Sequence, residues 1–207
     1  MLIYLLPIDC LNWSQNDSYL LNFVSADRQN KIQHYINPID QKLSLYAFLI
    51  AKMILSKLTG LAHQDILFST DSHNKPICSS FPNYHFNYSH THNAVLCCAS
   101  SESPVGADIE RIRNAPYDIM DFCFHPDEIN YVEKESCDSE IRFFQVWTRK
   151  ESYTKYLGTG LTENLSKVNT MSPDIAPLFH TWKQGGYICS ICSKSQSSFR
   201  LFQLSFK

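Results

Sequence analysis

At 207 residues the chain is long enough for one large domain or two small ones, and 44% apolar against 18% charged residues fits a globular protein with a substantial core. A net charge of −2 argues against a general nucleic-acid binder. No apolar run is long enough to span a membrane, and Met1-Leu2-Ile3-Tyr4-Leu5-Leu6 is too short, and lacks the basic residues, for a signal peptide; it reads as an edge strand.

The eight cysteines are Cys10, Cys78, Cys97, Cys98, Cys123, Cys137, Cys189 and Cys192. Without a signal peptide their even number is no evidence for disulfides, and a reducing cytoplasm is the expected compartment. Cys189 and Cys192 have CxxC spacing but no second pair, in strand-like surroundings, which reads as packed thiols rather than a zinc site.

Asp9 to Val24 carries no catalytic signal. Ser25-Ala26-Asp27-Arg28 looks like a helix start, with Ser25 as cap and Asp27 at the positive end of the dipole. Arg28 and Lys31 share a face of that helix, as a solvated basic face or as a phosphate clamp. Asn37-Pro38 reads as a chain break. Asp40 opens a helix to about Leu58, closed by Gly60, and its apolar residues leave so little polar surface that it must be buried. Asp65 to Ser69 reads as a strand and Asp71 to Pro76 as a turn-rich loop. His85 to His92 leads into a strand from Ala94 to Ala99. His90 and His92 alternate in step, but a metal-free reading is preferred, and Ser89 with His90 could hold a phosphate.

Val105 to Glu110 reads as a strand bounded upstream by Ser103-Pro104. Alternation puts Asp108 and Glu110 on one face, with Cα atoms about 6.5–7 Å apart. Such a pair is either a solvated face beside Arg111 and Arg113 or a site for a cation such as Mg²⁺. A helix begins at His125-Pro126-Asp127. A longer one, about Ile141 to Leu157, ends at Gly158 and carries Glu151 and Lys155 on one face. These two form either an ordinary surface pair or a third acid with a cation placed to meet a phosphate.

The halves of the chain echo each other. Ser56-Lys57-Leu58-Thr59-Gly60 parallels Thr154-Lys155-Tyr156-Leu157-Gly158, Ser25-Ala26-Asp27 parallels His125-Pro126-Asp127, and each half ends in a Cys-containing strand-like run. This points to a duplicated α+β unit, with one half spanning 1–104 and the other 105–207. Met53 stands where Glu151 stands, so one site is expected, between the halves.

Val105-Gly106-Ala107-Asp108-Ile109-Glu110, followed by Trp147-Thr148-Arg149-Lys150-Glu151-Ser152-Tyr153-Thr154-Lys155, resembles the paired signature of 4′-phosphopantetheinyl transferases of the two-domain, surfactin-synthetase-activating type. Lys75-Pro76 and Phe86-Asn87-Tyr88-Ser89-His90 support the resemblance, which runs from the Arg28 region to Gly160-Leu161. It implies two similar α/β halves related by pseudo-twofold symmetry, with the active site at their interface, in a monomer. It implies that Asp108, Glu110 and Glu151 hold Mg²⁺ on the pyrophosphate of coenzyme A and that Lys155 contacts that phosphate group. Arg28, Lys31, Lys75, Ser89 and His90 match positions around the coenzyme A phosphates, with Arg28, Lys31 and His90 nearest the 3′-phosphate. Leu43 stands where the family commonly has Arg, and Asn74 where it has Gly.

The reaction so implied moves 4′-phosphopantetheine from coenzyme A to a serine of an acyl or peptidyl carrier protein, with Glu151 or a water on Mg²⁺ as base. No nucleic acid or membrane partner is implied. The same acids would also serve a metal-dependent phosphohydrolase, and the fold alone a non-enzymatic coenzyme A binder.

Overall fold

The computed structural model describes residues 1–8, 12–71, 75–134, 136–158, 165–195 and 199–205; Cys10, Asn74, Gly160 and Leu161 lie outside them. The chain opens with strand β1 (Leu2–Pro7), helix α1 (Gln15–Leu20), helix α2 (Ala26–Gln33) and the long helix α3 (Pro38–Thr59). Strands β2 (Phe68–Thr70), β3 (Pro76–Cys78), β4 (His85–Thr91), β5 (Ala94–Ser100) and β6 (Val105–Arg111) follow. Then come the short helix α4 (Met120–Cys123), α5 (Pro126–Glu133), α6 (Ser139–Leu157), and strands β7 (Phe179–Gln184), β8 (Tyr187–Ser193) and β9 (Arg200–Gln203).

The strands form a sheet of order β4-β5-β1-β9, a sheet of order β6-β8-β7, and the small β2-β3 hairpin. Each larger sheet carries its own long helix, α3 or α6, on one side. Their other sides meet across a shared apolar core of Ile3, Leu5, Leu96 and Cys98 against Val105, Ala107, Ile109 and Ile191. Burying aliphatic side chains of this size stabilises a fold by about 1.5–3 kcal/mol each. The result is two similar α/β halves in pseudo-twofold relation, as expected from the repeat.

β1 is not an edge strand. It lies between β5, its antiparallel neighbour, and β9, which runs parallel to it. The physical reason is in its burial: Ile3 to Leu6 are buried in an unbroken run, Ile3 and Leu5 toward the shared core and Tyr4 and Leu6 toward α3. A continuous apolar run suits a strand covered on both faces.

α3 begins at Pro38 rather than Asp40. Asn37 accepts a hydrogen bond from the Ile39 N–H, and Pro38 takes the first helical position, where its missing donor costs nothing. Gly60, at φ 77°, ends the helix, as Gly158, at φ 75°, ends α6. The segment from Asp9 to Val24, which carried no catalytic signal, holds α1, capped by Ser14, and the fully buried Asp17. Asp17 accepts from the Tyr46 hydroxyl at 2.7 Å and pairs with Lys42 at 3.1 Å. The run from Asp65 is strand only from Phe68, where β3 begins to pair with it; His63–Asp65 is a 3-10 turn. His85 to Thr91 is itself a strand, joined to β5 across His92-Asn93.

In the second half, His125 caps α5 in a reciprocal bond with Glu128. Glu128 also accepts from Thr170 and pairs with the fully buried Lys150 at 2.7 Å. Removing one member of such a pair costs about 3–5 kcal/mol, because the other is left as a bare buried charge. Gly106 lets α6 lie directly on β6: a Cβ there would fall 1.9 Å from the Ser152 carbonyl oxygen. Cys189 and Cys192 are buried in β8 as free thiols.

Candidate active site

β6 is an edge strand, and its open edge faces β4. Asn87, Ser89 and Thr91 alternate along β4 and all reach toward β6. Asn87 Oδ1 accepts from the Ala107 N–H at 2.9 Å, and Thr91 Oγ1 from the Arg111 N–H at 3.4 Å. Between them Ser89 donates to Asp108 Oδ1 at 2.8 Å. Lys155, on the last turn of α6, donates to the same oxygen at 2.6 Å and to Ser89 Oγ at 3.1 Å. Asp108 is 3% exposed, which excludes a solvated acidic face. Its other oxygen, Oδ2, is buried without a hydrogen-bond partner.

Glu110 accepts a 3.3 Å bond from Thr91. Burial first, and then the neighbouring Asp108, push its carboxyl up to about 7, against the pull of the Thr91 bond and of Arg113 and Lys155. Glu151 is also raised, by burial and by Asp108, with Lys155 opposing. Glu110 and Glu151 therefore both feel the Asp108 charge. Among the described residues, no three His, Cys, Asp or Glu side chains are gathered as a ready-made metal cage. The chemistry of the set still fits a divalent cation, because a buried carboxylate oxygen of Asp108 lacks a partner and two further carboxyls are raised by burial and by the Asp108 charge. Lys155 pairs with Asp108 rather than with Glu151 on its own helix.

The opposite face of β4 carries Tyr88 and His90 into a cavity of about 450 Å³, shared with Arg28 and Lys31 from α2 and Ser44 and Phe48 from α3. Arg28 is held in place: Nη2 donates to Ser44 Oγ at 2.8 Å and to its carbonyl at 3.3 Å, and the guanidinium lies over the Phe48 ring at 5.0 Å. Its Nε is buried without an acceptor. Burial holds the His90 imidazole below its ordinary value, with Arg28 and Lys155 adding to the effect and Asp40 and Asp108 opposing it. His90 therefore offers hydrogen bonds at neutral pH rather than a fixed charge.

Lys75 stands apart from this cavity. It donates to the carbonyl oxygen of Lys155, at the C-terminal end of α6, and lines a separate 200 Å³ pocket with Tyr156, Leu157 and Gly158. Leu43 is a core residue, and Lys42 beside it is taken by Asp17, so neither brings a cation to the cavity. Sequence reasoning missed Tyr88 as cavity wall and Thr91 as partner of Glu110; the period-two alternation of β4 was the signal for both.

A family model for the 4′-phosphopantetheinyl transferase superfamily matches residues 104–204, and one for the N-terminal region of 4′-phosphopantetheinyl transferase matches residues 12–102. Over 150 residues the chain is 34% identical to the 4′-phosphopantetheinyl transferase gsp of Aneurinibacillus migulanus, covering 70% of this chain and 62% of that protein. It is 30% identical over 165 residues to psf-1 of Bacillus pumilus, covering 79% of this chain and 70% of that one. With Sfp of Bacillus subtilis strain 168 the identity is 28% over 153 residues, covering 73% and 67%. Both halves of the chain, and the motifs that bring Asp108, Ser89 and Lys155 together, fall within these matches. The chain belongs to the 4′-phosphopantetheinyl transferase superfamily, in its surfactin-synthetase-activating branch.

Proposed function

We propose that the chain transfers the 4′-phosphopantetheine group of coenzyme A to a serine of an apo acyl or peptidyl carrier protein. The observation that carries this reading is the meeting of Asp108, Ser89 and Lys155 at the β4–β6 edge, with one carboxylate oxygen unpartnered, directly behind a cationic cavity. The chain is read as two halves, 1–104 and 105–207, with β9 joining the sheet of the first. It works as a monomer in a reducing cytoplasm, which agrees with its buried free thiols; among the described residues no helix is long and apolar enough to cross a membrane.

Asp108, Glu110 and Glu151 would hold Mg²⁺, which when bound supplies positive charge to the pyrophosphate. The rest is positioning and electrostatics from the chain itself. Arg28 and Lys31, with His90 as a neutral hydrogen-bonding partner, receive the 3′-phosphate end of coenzyme A. Ser89 and Lys155 meet the pyrophosphate. Lys75 stays on the carbonyl of Lys155 and fixes the helix end that carries it. The carrier serine Oγ forms a bond to the phosphorus bearing pantetheine, and the P–O bond to adenosine 3′,5′-bisphosphate breaks. Glu151, or a water on the metal, would take the serine proton.

Purified protein with Mg²⁺ and coenzyme A should add a phosphopantetheine-sized mass to an apo carrier protein, and a carrier Ser→Ala variant should stay unmodified. Cleavage of coenzyme A at the same rate with no carrier present would replace this reading with a hydrolase. No reaction across several carrier types would leave a binder.

A further inference from the structure

Sheet register assigns each residue of the active cleft a mate in the first half. Ile3 and Leu5 face the shared core as Ala107 and Ile109 do. Ile3 pairs with Cys98 and Ala107 with Ile191, while Leu5 pairs with Leu96 and Ile109 with Cys189. One strand further out, Ser89 pairs with Leu96 and Trp182 with Cys189. Tyr4 is therefore the mate of Asp108, Leu6 of Glu110 and Trp182 of Ser89. Counting back from Gly60 and Gly158, Lys57 is the mate of Lys155 and Met53 of Glu151. The lysine contact survives in the mate: Lys57 donates to the Tyr4 hydroxyl at 3.2 Å as Lys155 does to Asp108 at 2.6 Å.

The mate of the active cleft is filled. By symmetry with β4 against β6, β7 would lie against β1, but β9 runs between them, paired with β1. Phe202 stacks on Tyr4, ring centroids 5.0 Å apart, and the Lys57 ammonium sits 4.4 Å from the Phe202 centroid. On the β7 side, Phe199 packs on His180 at 3.9 Å and Gln184 donates to Gln203 at 3.1 Å. In the active cleft the corresponding edge is bridged by side chains alone, Asn87 to Ala107 and Thr91 to Arg111. Between the two clefts lies the shared apolar core. A close-packed core compresses poorly, so the halves can pivot on it but not approach. Narrowing one cleft widens the other.

We infer that β9 is a positioning element for the transfer reaction: by filling the mate cleft it sets the opening of the active cleft, and Phe202 is the residue through which it does so. Phe202 touches neither Asp108 nor the cationic cavity; it acts through the angle between the halves. The kinetic part of this inference rests on the proposed transferase reading, and the structural part does not.

The test is Phe202→Ala in the full chain, read by residue-resolved amide hydrogen exchange without coenzyme A or carrier. The amides of Ala107 and Arg111, which bridge to β4, should exchange about tenfold faster, as expected of a local opening. Those of Asp108 and Glu110, which the antiparallel ladder turns toward β8, should hold their rates. Phe202→Tyr, which keeps the stack on Tyr4, should restore protection. In turnover assays the KM for coenzyme A should rise several-fold with kcat nearly unchanged. Unchanged exchange at Ala107 and Arg111, or equal acceleration along the whole of β6, overturns the inference. Should the chain transfer nothing, the exchange result still decides it.

Discussion

Asp108 is unevenly used. One oxygen takes bonds from Ser89 and Lys155, and the other is buried with none. Under the proposed function, that unpartnered oxygen is the one that would meet the charge of a bound cation. Asp108→Asn keeps the shape and the Ser89 contact but removes the charge. Single-turnover assays should show transfer falling by about two to three orders of magnitude, as for loss of one fixed electrostatic group, with the thermal midpoint maintained. Near-normal transfer would refute the assignment of this residue. Asp17 gives a separate, pH-dependent prediction. Burial pushes its carboxyl up, but bonds from Ser14, Tyr46 and Lys42 outweigh this and hold it below its ordinary value of 3.8. A carboxyl depressed on folding adds stability that is complete above its unfolded value and is lost as pH falls through the folded one. Asp17→Asn should therefore flatten the acid limb of a stability-versus-pH curve below about pH 4, measured by urea unfolding. A limb as steep as the parent's would show that other acids govern it.

Helix α6 can place Glu151 and Lys155 at the β4–β6 edge only because it touches β6 at Gly106. Gly106→Ala must push the two apart, since the new methyl would overlap the Ser152 carbonyl. Overpacking of this kind costs about 1–3 kcal/mol or more, and differential scanning calorimetry should show a lower midpoint together with reduced transfer. Unchanged stability would mean that the helix shifts freely. At this scale the sequence was informative where a rule is local. Alternation on β6 brought Asp108 and Glu110 together, four-residue spacing on α6 brought Glu151 and Lys155 together, and glycines marked both helix ends. It was silent where the partner is distant. β1 looked like an edge because β9 comes from the far end of the chain. The bond from Lys75 to the carbonyl of Lys155 was not foreseen, because nothing near Lys75 in the chain announces that partner. Asn37-Pro38 looked like a break because a cap and a break share the same residues.

Among the described residues the duplicated architecture presents two clefts, and one of them carries the acids. Tyr4, Leu6 and Met53 stand where Asp108, Glu110 and Glu151 stand, and β9 occupies the space. Isothermal titration should give one coenzyme A per chain; two equivalent sites would contradict the assignment of mates. β4 serves both parts of the remaining site. Its odd-numbered residues Asn87, Ser89 and Thr91 meet β6, and its even-numbered residues Tyr88 and His90 line the nucleotide-sized cavity. Parity on one strand thus couples two tasks that no contact joins. Point substitutions can alter either task alone, but inserting or deleting one residue between Phe86 and Ser89 exchanges the faces beyond it, turning Ser89 to the cavity and His90 to Asp108. Across natural variants of this chain, β4 should therefore change in letters and never in length.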